Sequence, residues 1–407
     1  KDQLFLGYIF TFFGILSCLY IAIFEPSLSD QYGFLIGWEQ FLISIILLLI
    51  TLEMARRTVG WPLPLITLIF LIYGLIGDRI PGEFGHPGIP INSFIGTLVI
   101  TEGGLWGKLT GVSVSIVAIF VIFGSILNAG EAGQGFMNIA IAVAGRLKGG
   151  AAKVSVISSA LFGSISGSAS ANVASTGMVT IPTMKKLGYP KRIAGAVEAV
   201  SSTGGQIMPP LMGAGAFVMV ELTGIPYSQI IIAAFIPALL YFFTIWLGVN
   251  RYAELYCLKP YKTKMLPSFT IVTKTALFFL IPFSILLLFM YVGYTPQFSA
   301  ALAILSGFLL LFIDINFNFN LKKTKTRIIN VTLFAGHQVA IIASIILCAS
   351  LIVGVLGITG LGIKVTSSII TFSNGNLWLT LFLTAIACLI LGMEVPTTAA
   401  YVICVSV

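Results

Sequence analysis

The sequence predicts an all-α polytopic membrane protein in which two re-entrant helical hairpins and discontinuous helices form an inverted repeat. Three observations carry this reading: apolar runs of membrane-spanning length, two polar breaks set among them, and a repeated glycine pattern whose flanking charges change sign. Only 9% of the 407 residues are charged while 57% are hydrophobic, whereas a soluble domain carries about a quarter charged residues. Water is not the solvent for most of such a surface.

In chain order, the apolar runs cover residues 4–24, 34–52, 63–76, 112–127, 230–249, 276–292, 300–313, 339–355 and 377–391. A bilayer core takes roughly 20 residues of helix, so these runs predict crossing helices. Residues 150–222 are apolar too, but Gly, Ser and Pro interrupt them repeatedly. The net charge of +8 comes from basic residues placed between apolar runs, where they act as orientation signals and not as a nucleic-acid surface. Arg56 and Arg57, Arg146 with Lys148 and Lys153, Lys185 with Lys186, Lys191 with Arg192, residues 251–274 and the loop 322–327 are expected on the cytoplasmic side. Residues 25–37 and 77–108 hold Glu25, Asp30, Asp78, Glu83 and Glu102 against Arg79 and Lys108, and are expected outside. No signal peptide is visible in front of the first apolar run.

The octet Ala129-Gly-Glu-Ala-Gly-Gln-Gly-Phe136 aligns with Leu356-Gly-Ile-Thr-Gly-Leu-Gly-Ile363, so that Gly130, Gly133 and Gly135 meet Gly357, Gly360 and Gly362. Each octet follows an apolar helix, and the polar stretch 166–172 then falls beside 392–398. The first copy is entered from an acidic loop and followed by Arg146, Lys148 and Lys153. The second is entered from the basic loop 322–327 and followed by Phe372-Ser-Asn-Gly-Asn376, which has no positive charge. Opposite charge bias at matching loops means opposite sidedness, the construction of alternating-access transporters.

The first break, Phe162-Gly-Ser-Ile-Ser-Gly-Ser-Ala-Ser-Ala-Asn-Val173, puts hydroxyls and an amide where an apolar helix should continue. Non-helical backbone at membrane depth costs several kcal/mol per unsatisfied group, so such a break lines a site or is buried in protein. Ser164, Ser166, Gly167, Ser168, Ser170 and Asn172 offer neutral hard oxygens suited to a small alkali cation, and a half-helix N-terminus offers N–H groups to a carboxylate. The second break runs from Ser201 to Gly213; its Ser202, Thr203, Gly204, Gly205, Gln206, Pro209, Pro210 and Gly213 predict a helix interrupted in mid-membrane. Close packing through small residues, with Ser and Thr bonded back to their own helices, is the competing account of both segments. Glu198 is read either as an intramembrane carboxylate, serving as cation ligand or proton-linked group, or as a residue near the cytoplasmic end screened by Lys191 and Arg192. Glu394 sits with Gly392, Pro396, Thr397 and Thr398 in the matching break of the second copy.

Other chemistry is thin. Cys18, Cys257, Cys348, Cys388 and Cys404 show no CxxC or Cys/His spacing, and His86 and His337 are the only histidines, so neither a disulfide frame nor a resident metal centre is expected. No phosphate-binding loop is present, because Gly107-Lys108 lacks the upstream glycine. An intramembrane hydrolase would have to pair Ser166 with His337, and a passive channel would need a continuous pore lining; neither accounts for paired breaks in an inverted repeat.

The strings Glu53-Met-Ala-Arg-Arg-Thr-Val-Gly-Trp61, Gly145-Arg-Leu-Lys-Gly-Gly-Ala-Ala-Lys-Val154, Gly163-Ser-Ile-Ser-Gly-Ser-Ala-Ser-Ala-Asn-Val173, Gly195-Ala-Val-Glu-Ala199, Ser202-Thr-Gly-Gly-Gln-Ile-Met-Pro-Pro210 and Gly392-Met-Glu-Val-Pro-Thr-Thr-Ala-Ala-Tyr-Val402 together resemble the membrane subunit of tripartite ATP-independent periplasmic (TRAP) transporters, specifically the fused small-plus-large permease of the TAXI branch. The resemblance covers nearly the whole chain. It implies an inverted-repeat, ion-transporter-like fold and sodium-coupled import of a small organic acid across the bacterial inner membrane. A periplasmic binding protein would deliver the substrate, transport would be of elevator type, and no cofactor would be needed beyond sodium as coupling ion. It further implies that residues 1–60 are the last helices of a small-subunit-like scaffold. Residues 61–260 would be the first half of the large subunit with the first hairpin and broken helix, 261–330 connecting helices with basic loops, and 331–407 an incomplete second repeat. By the same likeness two helices at the start and a further broken helix after the second hairpin are expected to be missing. Proton coupling through Glu198 or Glu394 is the alternative within the same architecture.

Overall fold

The computed structural model describes residues 2–258, 260–261, 266–373, 376–392 and 401, and among them the regular elements are helical. In chain order these are α1 (Asp2–Ser29), α2 (Gly37–Thr58), α3 (Pro62–Ile76), α4 (Ile91–Val99), α5 (Lys108–Val112), α6 (Ala118–Ala129), α7 (Ala132–Ala144), α8 (Gly150–Ser166), α9 (Ala169–Lys186), α10 (Lys191–Thr203), α11 (Ala214–Thr223), α12 (Tyr227–Leu255), α13 (Phe269–Val292), α14 (Pro296–Leu310), α15 (Leu321–Thr359), α16 (Leu361–Phe372) and α17 (Leu377–Gly392). Among the described residues, seven helical stretches are long and apolar enough to cross a bilayer: Gly7–Ser29, Gly37–Thr58, Pro62–Arg79, Lys108–Ala129, Tyr227–Leu255, Phe269–Val292 and Leu321–Thr359. Their outward faces are apolar, with Ile23, Ile69, Ile232, Ile236 and Leu288 exposed. A surface of that kind is stable against lipid and not against water. The chain is a multi-pass membrane protein.

Helix ends follow local chemistry. Ser268 and Thr295 accept hydrogen bonds from Ile271 N and Phe298 N at 3.4 and 3.3 Å, capping α13 and α14. Pro296 adds a pre-set first turn, and α13 stops at Gly293, whose φ of +100° suits glycine. One expectation fails here: the basic residues 322–327 lie in the first turns of α15 and not in a loop. Asn320 supplies the reason, since its side-chain oxygen accepts Lys323 N at 3.2 Å and starts the helix before the basic run.

Two compact units appear. The first takes residues 1–113 and 340–407, the second residues 114–339. In the first, Leu28, Leu35, Leu47, Phe94, Leu98, Leu351 and Val355 form one core. Hydroxyls stitch it together: Thr58 and Ser344 lie 2.6 Å apart, and Ser350 donates to the Gly104 carbonyl at 2.6 Å. In the second, Phe136 of α7 meets Phe279 of α13 edge-on at 4.6 Å, and α8, α9, α10 and α12 share a core that includes Ala151, Val154, Met184, Val197 and Phe242.

The repeated octets reappear as a repeated order of elements. α6 stops at Gly130 and α7 restarts at Ala132; α15 stops at Gly360, with φ +66°, and α16 restarts at Leu361. The aligned glycines do not all do the same job. Gly357 lies inside α15, and outside its own helix no described residue comes within 4 Å of the position a Cβ would take, so the second break is three residues later than the glycine matched to Gly130.

Candidate functional site

The first polar break is shorter than its composition suggests. α8 stays helical through Ser166, Gly167 turns the chain with φ +57°, and Ser168 opens α9 by accepting Ala171 N at 3.4 Å, so 150–186 form a helical hairpin with a two-residue turn. Gly is needed at the left-handed position and Ser at the cap, which is why the segment is rich in both. The second break is longer. α10 tightens into a 3-10 turn at Gly204–Gln206, loses regular structure through Pro209 and Pro210, and resumes as α11 after Gly213.

Glycines bring the two breaks together. A Cβ on Gly163 would sit 2.3 Å from Gly205 Cα, and one on Gly167 would sit 2.1 Å from Gly213 N. Backbone therefore lies directly on backbone at two points, and no larger residue fits either place. Leu211 N donates to Ser164 O at 3.3 Å, and the Tyr227 hydroxyl at the start of α12 donates to Pro210 O. The α12 ring edges also fix the turn: a Cβ on Gly204 would be 2.5 Å from Tyr241, whose hydroxyl donates to Val200 O at 2.8 Å.

Asn172 is fully buried, and its side-chain amide donates to Ser159 O at 2.9 Å and Ser202 O at 3.4 Å, joining α9 to α8 and α10. Ser166 has a buried hydroxyl with no hydrogen-bond partner among the described residues, and so has Ser201. An orphaned hydroxyl at a hairpin tip is costly unless something else coordinates it. The remaining side chains named from the sequence are placed otherwise. Ser164 donates back to Leu161 O at 2.7 Å, and Thr203 is exposed and donates to Ala199 O at 2.8 Å, as the close-packing account expects of each. Gln206 is half-buried in the 3-10 turn. Ser170 lies in α9, in its first turn, and Gly392 is the last residue of α17. Glu394, Pro396, Thr397 and Thr398 lie outside the described residues.

Glu198 is inside, not at a screened helix end. It is fully buried, and its carboxylate accepts hydrogen bonds from Ser155 at 2.7 Å and Ser202 at 3.2 Å, and from Thr176 and Thr180. No Lys, Arg or His among the described residues comes within 4 Å of it. Gly177 leaves room for it, since a Cβ there would be 3.2 Å from Glu198 Cγ. Lys153, expected in a cytoplasmic loop, is a buried residue of α8 whose ammonium lies 4.8 Å from the Trp246 ring centroid. Of the hydroxyls around Glu198, Ser202 was named from the sequence, whereas Ser155, Thr176 and Thr180 were not. Thr176 and Thr180, four apart on one face of α9, were the available signal.

Over residues 46–407 the chain matches the family model described as tripartite ATP-independent periplasmic transporter, DctM component. The chain belongs to this family. Among curated TRAP relatives, it is 28% identical over 207 residues to the C4-dicarboxylate TRAP transporter large permease protein DctM of Pseudomonas aeruginosa, covering 48% of this chain and 46% of that one. It is 28% identical over 200 residues to the ectoine/5-hydroxyectoine TRAP transporter large permease protein UehC of Ruegeria pomeroyi, 48% of this chain and 44% of the relative. To the sialic acid TRAP transporter permease protein SiaT of Haemophilus influenzae it is 26% identical over 166 residues, 38% of this chain and 27% of the relative. The matches span about half the length of these relatives, or less. TRAP permeases are transporters and not enzymes, which removes the hydrolase reading.

Proposed function

We propose that this TRAP permease chain is the membrane part of a sodium-driven symporter that imports a small organic acid delivered by a periplasmic binding protein. The observation that carries the proposal is the Ser166 hydroxyl, buried and without a partner among the described residues, where the α8–α9 turn meets the broken helix. Hydroxyl, amide and carbonyl oxygens without a fixed positive charge suit a desolvated alkali cation, and sodium is here cargo and not a resident cofactor. Ser166 and the backbone oxygens of the two breaks would ligate it. The bound ion would hold the hairpin on the broken helix, and the N-terminus of α9 would then face the substrate carboxylate.

The finer features belong to the same reading: a fused small and large permease of the TAXI type, elevator-type motion, re-entrant hairpins and residence in the bacterial inner membrane. The organic acid is proposed as a class only, because the relatives are named for C4-dicarboxylate, ectoine and sialic acid. Reconstituting the full-length protein in liposomes with its binding protein tests the proposal. Uptake should follow an imposed inward sodium gradient and be absent with choline. Uptake that follows a pH gradient without sodium would replace sodium with protons in the same architecture.

A further inference from the structure

Four hydroxyls converge on one carboxylate that no cation among the described residues approaches within 4 Å, and the proposed ion site makes no use of it. Ser155 belongs to α8, Thr176 and Thr180 to α9, and Ser202 to α10, so Glu198 is the point at which both arms of the hairpin meet the broken helix. The contacts do not stop there. Ser202 and Ser159 hydroxyls lie 3.4 Å apart, Ser159 is also 3.4 Å from Thr176, and Asn172 donates to the Ser159 and Ser202 carbonyls. A connected set of hydrogen bonds thus runs from Glu198 to the residues flanking the breaks. Nothing in it touches the Ser166 hydroxyl directly.

We infer that Glu198 is a positioning residue: by accepting hydroxyls from α8, α9 and α10 it holds the two breaks in the register in which the Asn172 amide spans Ser159 and Ser202. This rests on the sodium reading for its functional consequence, but not for its structural one. A buried carboxylate is a stronger acceptor than a neutral group, so one side chain can hold three helices where a single neutral bond would leave them free to slide. The two threonines have a second option. Thr176 also lies 2.8 Å from Asn172 O and Thr180 3.0 Å from Thr176 O, so either hydroxyl can donate to its own helix and turn its oxygen toward an incoming N–H. A glutamine can therefore be accommodated, whereas an alanine leaves the hydroxyls without their shared acceptor.

The experiment compares full-length wild type, Glu198→Ala and Glu198→Gln, each reconstituted with the binding protein. Hydrogen exchange over residues 155–176, measured without sodium, reads the positioning itself. Exchange should speed up at least tenfold in Glu198→Ala and stay within about threefold of wild type in Glu198→Gln. Sodium titration of uptake reads the consequence: the half-maximal sodium concentration should rise at least tenfold in Glu198→Ala at little-changed maximal rate, with most of the rise recovered in Glu198→Gln. Wild-type exchange in Glu198→Ala overturns the inference whatever the coupling ion. Faster exchange together with wild-type uptake that ignores sodium leaves Glu198 as the positioning residue and removes the sodium reading. Loss in both variants of maximal rate alone, with the sodium midpoint fixed, also overturns it.

Discussion

Gly163→Ala puts one methyl group into the closest backbone contact between the hairpin and the broken helix. The added Cβ would stand 2.3 Å from Gly205 Cα and 3.2 Å from the Asn172 amide nitrogen. Ordinary contact begins near 3.4 Å, so the two backbones must part by about 1 Å, and neither side has a flexible side chain that can yield. Overpacking of this kind costs about 1–3 kcal/mol, and backbone on backbone belongs at the upper end. At 1.4 kcal/mol per factor of ten, about 3 kcal/mol lowers the population of the seated arrangement roughly a hundredfold. Gly195→Ala is the control. It lies in α10 with nothing within 4 Å of the new methyl, so alanine should gain about 1 kcal/mol of helix propensity and change nothing else. Thermal unfolding in detergent and uptake into liposomes read both variants. Gly163→Ala should unfold several degrees lower and lose nearly all uptake, while Gly195→Ala should match or exceed wild type in stability and transport normally. Wild-type uptake by Gly163→Ala would refute the claim that the breaks function pressed together.

Three further outcomes follow from particular contacts. Tyr227→Phe leaves the buried Pro210 carbonyl without its donor and should cost about 1–3 kcal/mol, seen as a lower unfolding temperature and a weaker response to sodium. Arg327→Ala should be more damaging, at about 3 kcal/mol, because Arg327 pairs with the half-buried Glu131 and donates to the Leu311 and Ile313 carbonyls at 2.9 Å; Arg327→Ala with Glu131→Ala should recover part of the loss in a thermal-unfolding cycle. Asp314 lies outside the seven crossing stretches, and the ammonium of Lys323, in the first turn of α15 and 2.6 Å away, holds its carboxyl below the ordinary value. A lowered acid contributes stability that is complete above its unfolded pKa of about 3.9 and is lost as pH falls through the folded value. The difference in unfolding temperature between wild type and Asp314→Asn should accordingly be small, reflecting less than about 1 kcal/mol for an exposed pair, constant above about pH 5, and should vanish in acid.

Hydrophobic run length located the seven spanning stretches because lipid imposes one length and one polarity on all of them, whereas the runs 300–313 and 377–391, also expected to cross, form α14 and α17, of 15 and 16 residues, which are shorter than that length. The breaks were also readable, since paired glycines at 204 and 205 weaken a helix and paired prolines at 209 and 210 remove two of its backbone donors in succession. Their interior was not. Gly167 and Ser168 confine the first break to a turn, and whether Ser164 or Ser166 faces inward depends on helix phase, which composition does not record. The placement of Thr203 was unreadable for a related reason, because the 3-10 turn begins one residue after it and leaves it exposed, bonded to Ala199. Glu198 was noticed as a charge, but its four hydroxyl partners come from three helices and have no common sequence signature. The start of α15 shows the opposite error: charge sign was taken for loop structure, although Lys and Arg are good helix formers once Asn320 caps them.

The central claim is that sodium enters with the substrate through the oxygens at the hairpin and the broken helix. Radioactive sodium uptake into liposomes holding the full-length protein measures this directly, with substrate-loaded binding protein outside and with wild type beside Asn172→Ala. Sodium should enter wild-type liposomes only when the loaded binding protein is present, and Asn172→Ala, having lost the amide that ties Ser159 to Ser202, should abolish it. Substrate accumulation without sodium entry, or sodium entry undiminished in Asn172→Ala, would contradict the account.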